Sequence, residues 1–452
     1  MTRARAMVVG ALALVAACAS ARVEERLGEE REAAGPLTDP VASPADVTPE
    51  PTWGDPVSWG AVTAEVLAKN PRVEAMRSAW RAMLERVPQV TASPDPTLEL
   101  GIAPLSLPTG MGQRLSFRQP LAWGGQLDRR AEVVFAEADA LRHDREAMQR
   151  ELVAMAHEAL IDLGVASELR ALYLAHHELV DTLRRGALAR VATGRGQPED
   201  AVRAEGELVM IELRLHEVDR MERVARARVN ALVHRAIEAP IGTVILPAAL
   251  PPAPPALDDL LAEARAGRPE LAAAASRVRA RMADGAVADS MGWPMLGVGA
   301  ELSTMSEDAM MWPMLMFMIE LPLASGRRAA MRDEARAMAA MARAEAAALA
   351  DEIGAEVASR RASLEAALAS HDTIERTLLP LLVQRQELTL AGYAANRADF
   401  DAVVMATDAL LDARLERVMW RRDAHMAAVA LERALGRLVA QPAAAPTLPE
   451  RP

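Results

Sequence analysis

Residues 310–323 read MMWPMLMFMIELPL, and their alternation decides what kind of element they form. Trp312, Met314, Met316, Met318 and Glu320 fall on one side of an extended chain, and Leu315, Phe317, Ile319 and Leu321 on the other. A period of two predicts a strand with two different faces. The tetrapeptide WPML occurs here and again at 293–296, and eight of the 24 methionines lie between Met291 and Met318. The stretch also has an earlier counterpart. At a spacing of 202 residues, Met316, Met318 and Glu320 fall on Arg114, Ser116 and Arg118.

The correspondence extends along most of the chain. Asn70-Pro71 precedes Arg268-Pro269 by 198 residues, and that spacing sets Pro96-Thr97-Leu98-Glu99-Leu100-Gly101 on Pro294-Met295-Leu296-Gly297-Val298-Gly299. From Pro120 onward the spacing is 202, which places Gly194-Arg195 on Asn396-Arg397 and Leu208 on Leu410. Self-similarity over this length marks a tandem duplication. The four extra residues enter between the second copy's strands, which predicts a longer loop at 304–309, carrying Glu307 and Asp308 to the cell surface. The expected division is a signal peptide at 1–17, a lipid-anchored linker at 18–57 and a first repeat at 58–238. A proline-rich linker at 239–256, a second repeat at 257–436 and a tail at 437–452 follow.

Each copy has one plan: short helices (58–90 and 257–287), two alternating strands, a glycine-marked turn and two long helices. No proline falls between Pro120 and Pro198, and Ala138, Leu141, Met148, Leu152, Met155 and Ala159 form a coiled-coil-like seam. A helix over 128–192 is roughly 95 Å long at 1.5 Å per residue, too long for a compact domain. Gly194 and Gly196 end it, and Pro198 starts the next helix. In the second copy Asn396 stands where Gly194 stands in the first, the usual second choice for a positive φ. Pro380 predicts a kink in the second copy's outgoing helix.

The first residues read as an export signal. Arg3 and Arg5 precede an apolar segment at 6–17, which ends in Val15-Ala16-Ala17-Cys18 and resembles a bacterial lipobox. Cys18 is the only cysteine, so it is the expected lipidation site, and a disulfide framework and a thiolate metal site are excluded. Ala19, rather than Asp, follows it, which in lipoproteins implies onward export to the outer membrane. Beyond residue 18 no apolar run reaches the length of a spanning helix, so any membrane crossing falls to strands. Heavy use of Ala, Glu, Arg and Leu with 3% aromatic residues favours long helices. A net charge of −12 speaks against a nucleic-acid partner.

The other strands alternate too. Arg114, Ser116 and Arg118 oppose Leu115, Phe117 and Leu121; Thr97, Glu99 and Gly101 oppose Leu98, Leu100 and Ile102. Strands apolar outward and polar inward are the pattern of a transmembrane barrel, with a half-buried pair in a soluble sheet as the alternative. Four strands cannot close a barrel, so the barrel reading requires an oligomer. Trp123, Trp293 and Trp312 bracket strand ends, where interfacial aromatics belong. Met295, Met314, Met316 and Met318 then face the lumen. There they are either weak thioether sites for Cu(I) or Ag(I) or flexible filler in a narrow barrel.

The duplicated order of strand pair and long helices, with Gln119-Pro120-Leu121-Ala122-Trp123-Gly124-Gly125 opening the first long helix, resembles TolC-type outer-membrane efflux proteins. So does Ala391-Gly392-Tyr393 followed by Arg397-Ala398-Asp399-Phe400. The likeness covers about residues 58–436, and with Cys18 the chain looks most like the lipoprotein subset that includes heavy-metal channels of the CusC and CzcC type. The resemblance implies a mainly α homotrimer in which four strands per protomer build a 12-strand barrel, continuous with a long periplasmic α-helical barrel. It also implies a periplasmic adaptor and an inner-membrane RND pump as partners, and outer-membrane lipid around the strands. On this basis Gly194, Arg195, Gly196, Tyr393, Asn396, Arg397, Asp399 and Asp401 are expected at the closed periplasmic end and at the adaptor contact. Two features depart from the family: Asn396 stands for its usual glycine, and Ala402 and Met405 occupy the places of its aspartate ring.

Neither a catalytic constellation nor a phosphate loop is present, no cofactor is implied, and HHEL at 176–179 is not a zinc-protease motif. The expected function is a passive outer-membrane conduit of a tripartite efflux system exporting metal ions, with copper and silver foremost. A channel for drugs, solvents or type I protein secretion, and a periplasmic coiled-coil adaptor or structural lipoprotein without a pore, are the rival readings.

Overall fold

The computed structural model describes residues 20–36, 53–102, 111–122, 125–194, 196–305, 311–395 and 397–439. Cys18, Trp123, Arg195, Asn396 and the segment 306–310 lie outside the described residues, as does the side chain of Trp312. The elements, in chain order, are α1 (Ala21–Ala34), α2 (Trp59–Lys69), α3 (Pro71–Leu84), α4 (Val87–Thr91), β1 (Thr97–Ile102), β2 (Met111–Leu121), α5 (Gln126–Ala192) and α6 (Pro198–Leu232). The second copy supplies α7 (Leu257–Gly267), α8 (Pro269–Ser290), β3 (Met295–Met305), β4 (Met311–Glu320), α9 (Ser325–Thr373), α10 (Leu379–Ala394) and α11 (Phe400–Ala434).

The duplication is visible in the element bounds. Adding 202 to the end of α5 and to both ends of α6 gives the end of α10 and both ends of α11. It is also visible in a contact. Asn70, which caps α2 ahead of Pro71, donates from Nδ2 to the Leu232 carbonyl at 2.8 Å. Its counterpart Arg268, which caps α7 ahead of Pro269, donates from Nη1 to the Ala434 carbonyl at 2.9 Å. In both copies the residue before proline leaves the helical region, and its side chain satisfies a carbonyl at a helix end.

Two compact units make up the chain. One contains α1, Ala75–Arg145 and Glu270–Leu349, and thus all four strands. Its core joins Val23, Leu27 and Ala34 to Trp80, Leu84, Val87, Ala131, Val134, Phe135 and Ala138. Residues 18–57 are therefore not simply a linker: 21–34 form a helix whose apolar face is buried, tied by Arg31 Nε to Glu85 at 3.1 Å. The sheet is antiparallel in the order β1-β2-β3-β4, with β1 and β4 as its edges. Thr304 and Met305, expected in a longer loop, are paired residues of β3 instead.

The other unit contains Glu146–Pro269 and Ala350–Pro452, with the segment that ends at Glu74. Trp53, Trp59, Val62 and Val66 pack on Leu152, Leu160, Ile161 and Val229. The proline-rich 239–256 segment is not a free linker either. Val244 and Leu246 are buried, and the Pro247 carbonyl lies 3.2 Å from His425 Nε2. Pro380 lacks the N–H that an α-helical ladder needs, and over Ile374–Leu378 the helix widens to π geometry before α10 begins. Among the described residues no helix is long and apolar enough to cross a membrane.

Candidate functional site

The sheet has two chemically different faces. Register places Thr97, Glu99, Arg114, Ser116, Arg118, Glu301 and Ser303 on one face, with Met295, Met314, Met316, Met318 and Glu320. Arg118 pairs with Glu99 and Arg114 with Glu301, each at 2.7 Å. Glu301 is buried, and Arg114 answers its charge from the neighbouring strand. The opposite face carries Leu98, Leu100, Ile102, Leu115, Leu302, Leu315, Phe317, Ile319 and Leu321, all exposed, together with Phe117, Leu121, Leu296 and Val298, which are partly covered. Phe317 is 82% exposed and Leu315 79%. An apolar face of this extent needs a covering solvent or partner.

The methionines sit on the polar face, as their alternation predicts. Met318 Cε lies where a Cβ on Gly297 would meet it at 2.8 Å, and Met316 Cε would lie 3.4 Å from a Cβ on Gly299. These two side chains lie across the glycines of the neighbouring strand. Met314 and Met295 are more open, at 51% and 43%. At the foot of the strands a cavity of about 600 Å³ is lined by Trp293, Met295, Glu320, Leu321 and the arginines Arg129, Arg130, Arg327 and Arg328. This basic cluster is not apparent in the sequence, because α5 and α9 bring its two halves from positions about 200 residues apart.

In the other unit, the turns between long helices are joined. Gly194 has φ +70°, and a Cβ on Gly196 would lie 2.9 Å from the Val191 nitrogen, so both turn positions favour glycine. Arg190 Nη1 donates to the Tyr393 carbonyl at 3.1 Å, and its guanidinium lies 4.4 Å from the Tyr393 ring centroid. Tyr393 meets Phe400 edge-on at 5.8 Å. Asp399 caps α11, accepting from the Ala402 nitrogen at 2.8 Å, while the Arg397 nitrogen donates to the Gly392 carbonyl at 2.7 Å. Asp401 forms an ion pair with Arg203 of α6. Phe400 and Val404 complete a core with Val180, Ala187, Ala204, Leu208 and Ile211.

Of the expected turn residues, Gly194, Gly196, Tyr393, Arg397, Asp399 and Asp401 thus lie in or beside these two turns. The residues that link the hairpins, Arg190 and Arg203, escaped the sequence reading. Neither belongs to a motif, and each is recognisable only by its partner in the other copy. Deeper along the hairpins, buried His176 lies 3.4 Å from Asp408. Burial, and then the nearby Asp408 charge, raises the Glu207 carboxyl above its usual range. No group of three or more His, Cys, Asp or Glu side chains arranged to hold a metal ion occurs among the described residues.

Comparison with known proteins bears on this geometry. Residues 260–437, the second repeat, match the outer membrane efflux protein family. Among solved structures, the outer-membrane channel OprN superposes with a TM-score of 0.69 at 19% identity, covering 89% of this chain and 98% of that one. VceC from Vibrio cholerae gives 0.71 at 16% identity, covering 86% and 99%. CusC, whose structures concern folding and transmembrane channel formation, gives 0.71 at 16% identity, covering 89% and 99%. At these identities the likeness is one of fold: a mainly α chain with a four-stranded sheet, as in outer-membrane channels. No curated protein matches the chain in sequence.

Proposed function

We propose that this chain is the outer-membrane channel subunit of a tripartite efflux system, a passive conduit working with a periplasmic adaptor and an inner-membrane pump. The observation that carries this reading is the sheet. One face is apolar and exposed, the other polar and ion-paired, and among the described residues each edge strand is paired along one side only. Three copies would close a 12-strand barrel, cover every edge and turn the apolar face to lipid. Exposed Trp293 at a strand foot suits the membrane interface, and lipidation at Cys18 would anchor the chain beside the barrel. The test is purification in detergent followed by planar-bilayer recording. Heat-resistant trimers with stepwise conductance are expected; a monomer without conductance would favour the adaptor reading.

The joined turns suit a closed periplasmic end that also receives the adaptor. Asp401→Ala removes the ion pair with Arg203, and Arg190→Ala removes the hydrogen bond and ring contact that hold Tyr393. Each exposed pair contributes about 0–1 kcal/mol, and threefold repetition adds these contributions within one gate. The double variant is expected to raise single-channel conductance several-fold while trimer yield stays constant. Unaltered conductance would remove these residues from the gate.

For cargo, we propose soft monovalent metal ions, copper(I) or silver(I), because Met295 and Met314 offer open thioethers on the polar face. Replacing Met314, Met316 and Met318 with Leu is expected to lower copper or silver tolerance several-fold while trimer yield and drug efflux hold. Unchanged tolerance would leave the stripe as packing against Gly297 and Gly299, and would reopen drugs, solvents and secreted proteins as cargo.

A further inference from the structure

Four arginines gather at the foot of the sheet with little to neutralise them. The cavity of about 600 Å³ lies where β3 begins, β4 ends and the first turns of α5 and α9 meet them. Arg129 and Arg130 line it from α5, Arg327 and Arg328 from α9, and Glu320 is the one carboxylate among its described lining residues. Among the described residues none of the four arginines forms an ion pair, and Arg328 donates to the Pro322 carbonyl in the cavity wall. On the sheet itself, by contrast, Arg114 and Arg118 each meet a glutamate at 2.7 Å. Like charges drawn around one space repel, and an anion seated among them relieves that cost. The duplication does not account for the cluster. At the spacing of 202, Arg327 and Arg328 fall on Gly125 and Gln126, and Arg129 and Arg130 on Met331 and Arg332. The four arginines are therefore not two copies of one pair, and only the fold brings both pairs to one cavity.

Beside the arginines the lining is apolar. Exposed Leu321 and Leu323 belong to it, and they continue the row of Leu315, Phe317 and Ile319 that the channel reading turns to hydrocarbon. Exposed Trp293 stands at the same level, where an indole suits a membrane interface. The long helices leave from this end of the sheet, so in that reading the cavity opens at the leaflet nearest the periplasm. A molecule that satisfies both parts of the lining has an anionic head and an apolar tail. We propose that the cavity binds the headgroup of an anionic phospholipid, its phosphate held by Arg129, Arg130, Arg327 and Arg328 and its acyl chains laid along Leu321 and Leu323. The proposal rests on the channel reading, which supplies the membrane, and adds a lipid site to it. Guanidinium forks match phosphate oxygens two at a time, and basic pockets at a membrane face take anionic headgroups. The volume falls in the range of about 300–1,000 Å³ that holds whole small molecules, more than a single phosphate ion fills.

Native mass spectrometry of the full-length protein tests the site. The protein is purified in a neutral detergent, washed free of lipid and titrated with phosphatidylglycerol, phosphatidylcholine or inorganic phosphate. Phosphatidylglycerol is expected to bind once per protomer, about tenfold or more tighter than phosphatidylcholine. Arg327→Gln with Arg328→Gln, and separately Arg129→Gln with Arg130→Gln, should each weaken phosphatidylglycerol about tenfold; the two variants guard against one failing to fold. Arg336→Gln with Arg343→Gln removes the same charge from α9 outside the cavity lining and should leave the affinity unchanged. Equal affinity for phosphatidylcholine, or equal weakening by the outside pair, overturns the headgroup site. Inorganic phosphate that binds as tightly as phosphatidylglycerol overturns the lipid as its occupant. Heat-resistant trimers that take up no phosphatidylglycerol overturn the proposal and leave the channel reading standing. Absence of trimers fails the channel reading, and the proposal with it.

Discussion

An arginine at position 317 is expected to abolish trimers in the outer membrane, whereas an arginine at position 314 is expected to leave them intact. The two positions lie three residues apart on β4 and on opposite faces. Phe317 stands 82% exposed among Leu315, Ile319 and Leu321, where the barrel reading places hydrocarbon. A guanidinium on the lipid face of a barrel costs roughly 2–4 kcal/mol near the bilayer midplane, and a trimer meets that cost three times. Met314 pairs across the strands with Glu301, whose carboxylate already takes Arg114. An arginine there would find water and a second acidic contact. Heat-resistant trimer in the outer-membrane fraction is the measurement, with Phe317→Arg and Met314→Arg compared at equal expression. Loss in the Met314 variant with survival of the Phe317 variant would reverse the two faces and with them the assignment of the methionines to the lumen.

Much of this architecture is legible because it rests on local periodicity. The alternation of 312–321 predicts β4 and its faces, and the absence of proline between Pro120 and Pro198 predicts α5 almost to its ends. The duplication then carries each reading to the other copy. Where the sequence misleads, the cause is composition. The prolines of 239–256 suggest a free linker, but proline also suits a packed extended segment, and burial of Val244 and Leu246 is a tertiary matter. Residues 21–34 are rich in Glu and Arg, which hides a helix whose buried apolar residues are Val23, Leu27 and Ala34.

The candidate site divides along the same line. Glycines in the turns and methionines in the strand announce themselves by type and spacing. Arg190 and Arg203 do not, because each acts on the opposite copy across about 200 residues of sequence. The cavity arginines escape for the same reason: two helix starts, unremarkable singly, converge only in the fold.

The second large effect expected is a loss of stability between neutral and acid pH that depends on one histidine. His157 lies on α5 and is 2% exposed. Its ring stands edge-on to Trp59 at 5.4 Å, its Nε2 lies 3.0 Å from Thr63 Oγ1, and its Nδ1 has no hydrogen-bond partner among the described residues. Burial lowers its pKa from 6.5 to about 4. The unfolded chain, with the higher value, takes up the proton first as pH falls. The contribution of neutral His157 is therefore fully present above about pH 6.5, declines between about 6.5 and 4, and changes no further below that. With about 1.4 kcal/mol per pKa unit the loss is on the order of 3 kcal/mol. His425 is also lowered, chiefly by burial, and Glu158 is raised, chiefly by burial; both remain when only position 157 is changed. The measurement is the thermal midpoint of the helical circular-dichroism signal in detergent, from pH 7.5 to 4, for the parent and for His157→Gln. The variant, which cannot take up that proton, is expected to lose less stability over the window, so the two curves converge or cross as the pH falls. Parallel curves over that range would mean that His157 is already reached by water in the folded protein, and that the tight packing of Trp59 and Thr63 around it does not persist in solution.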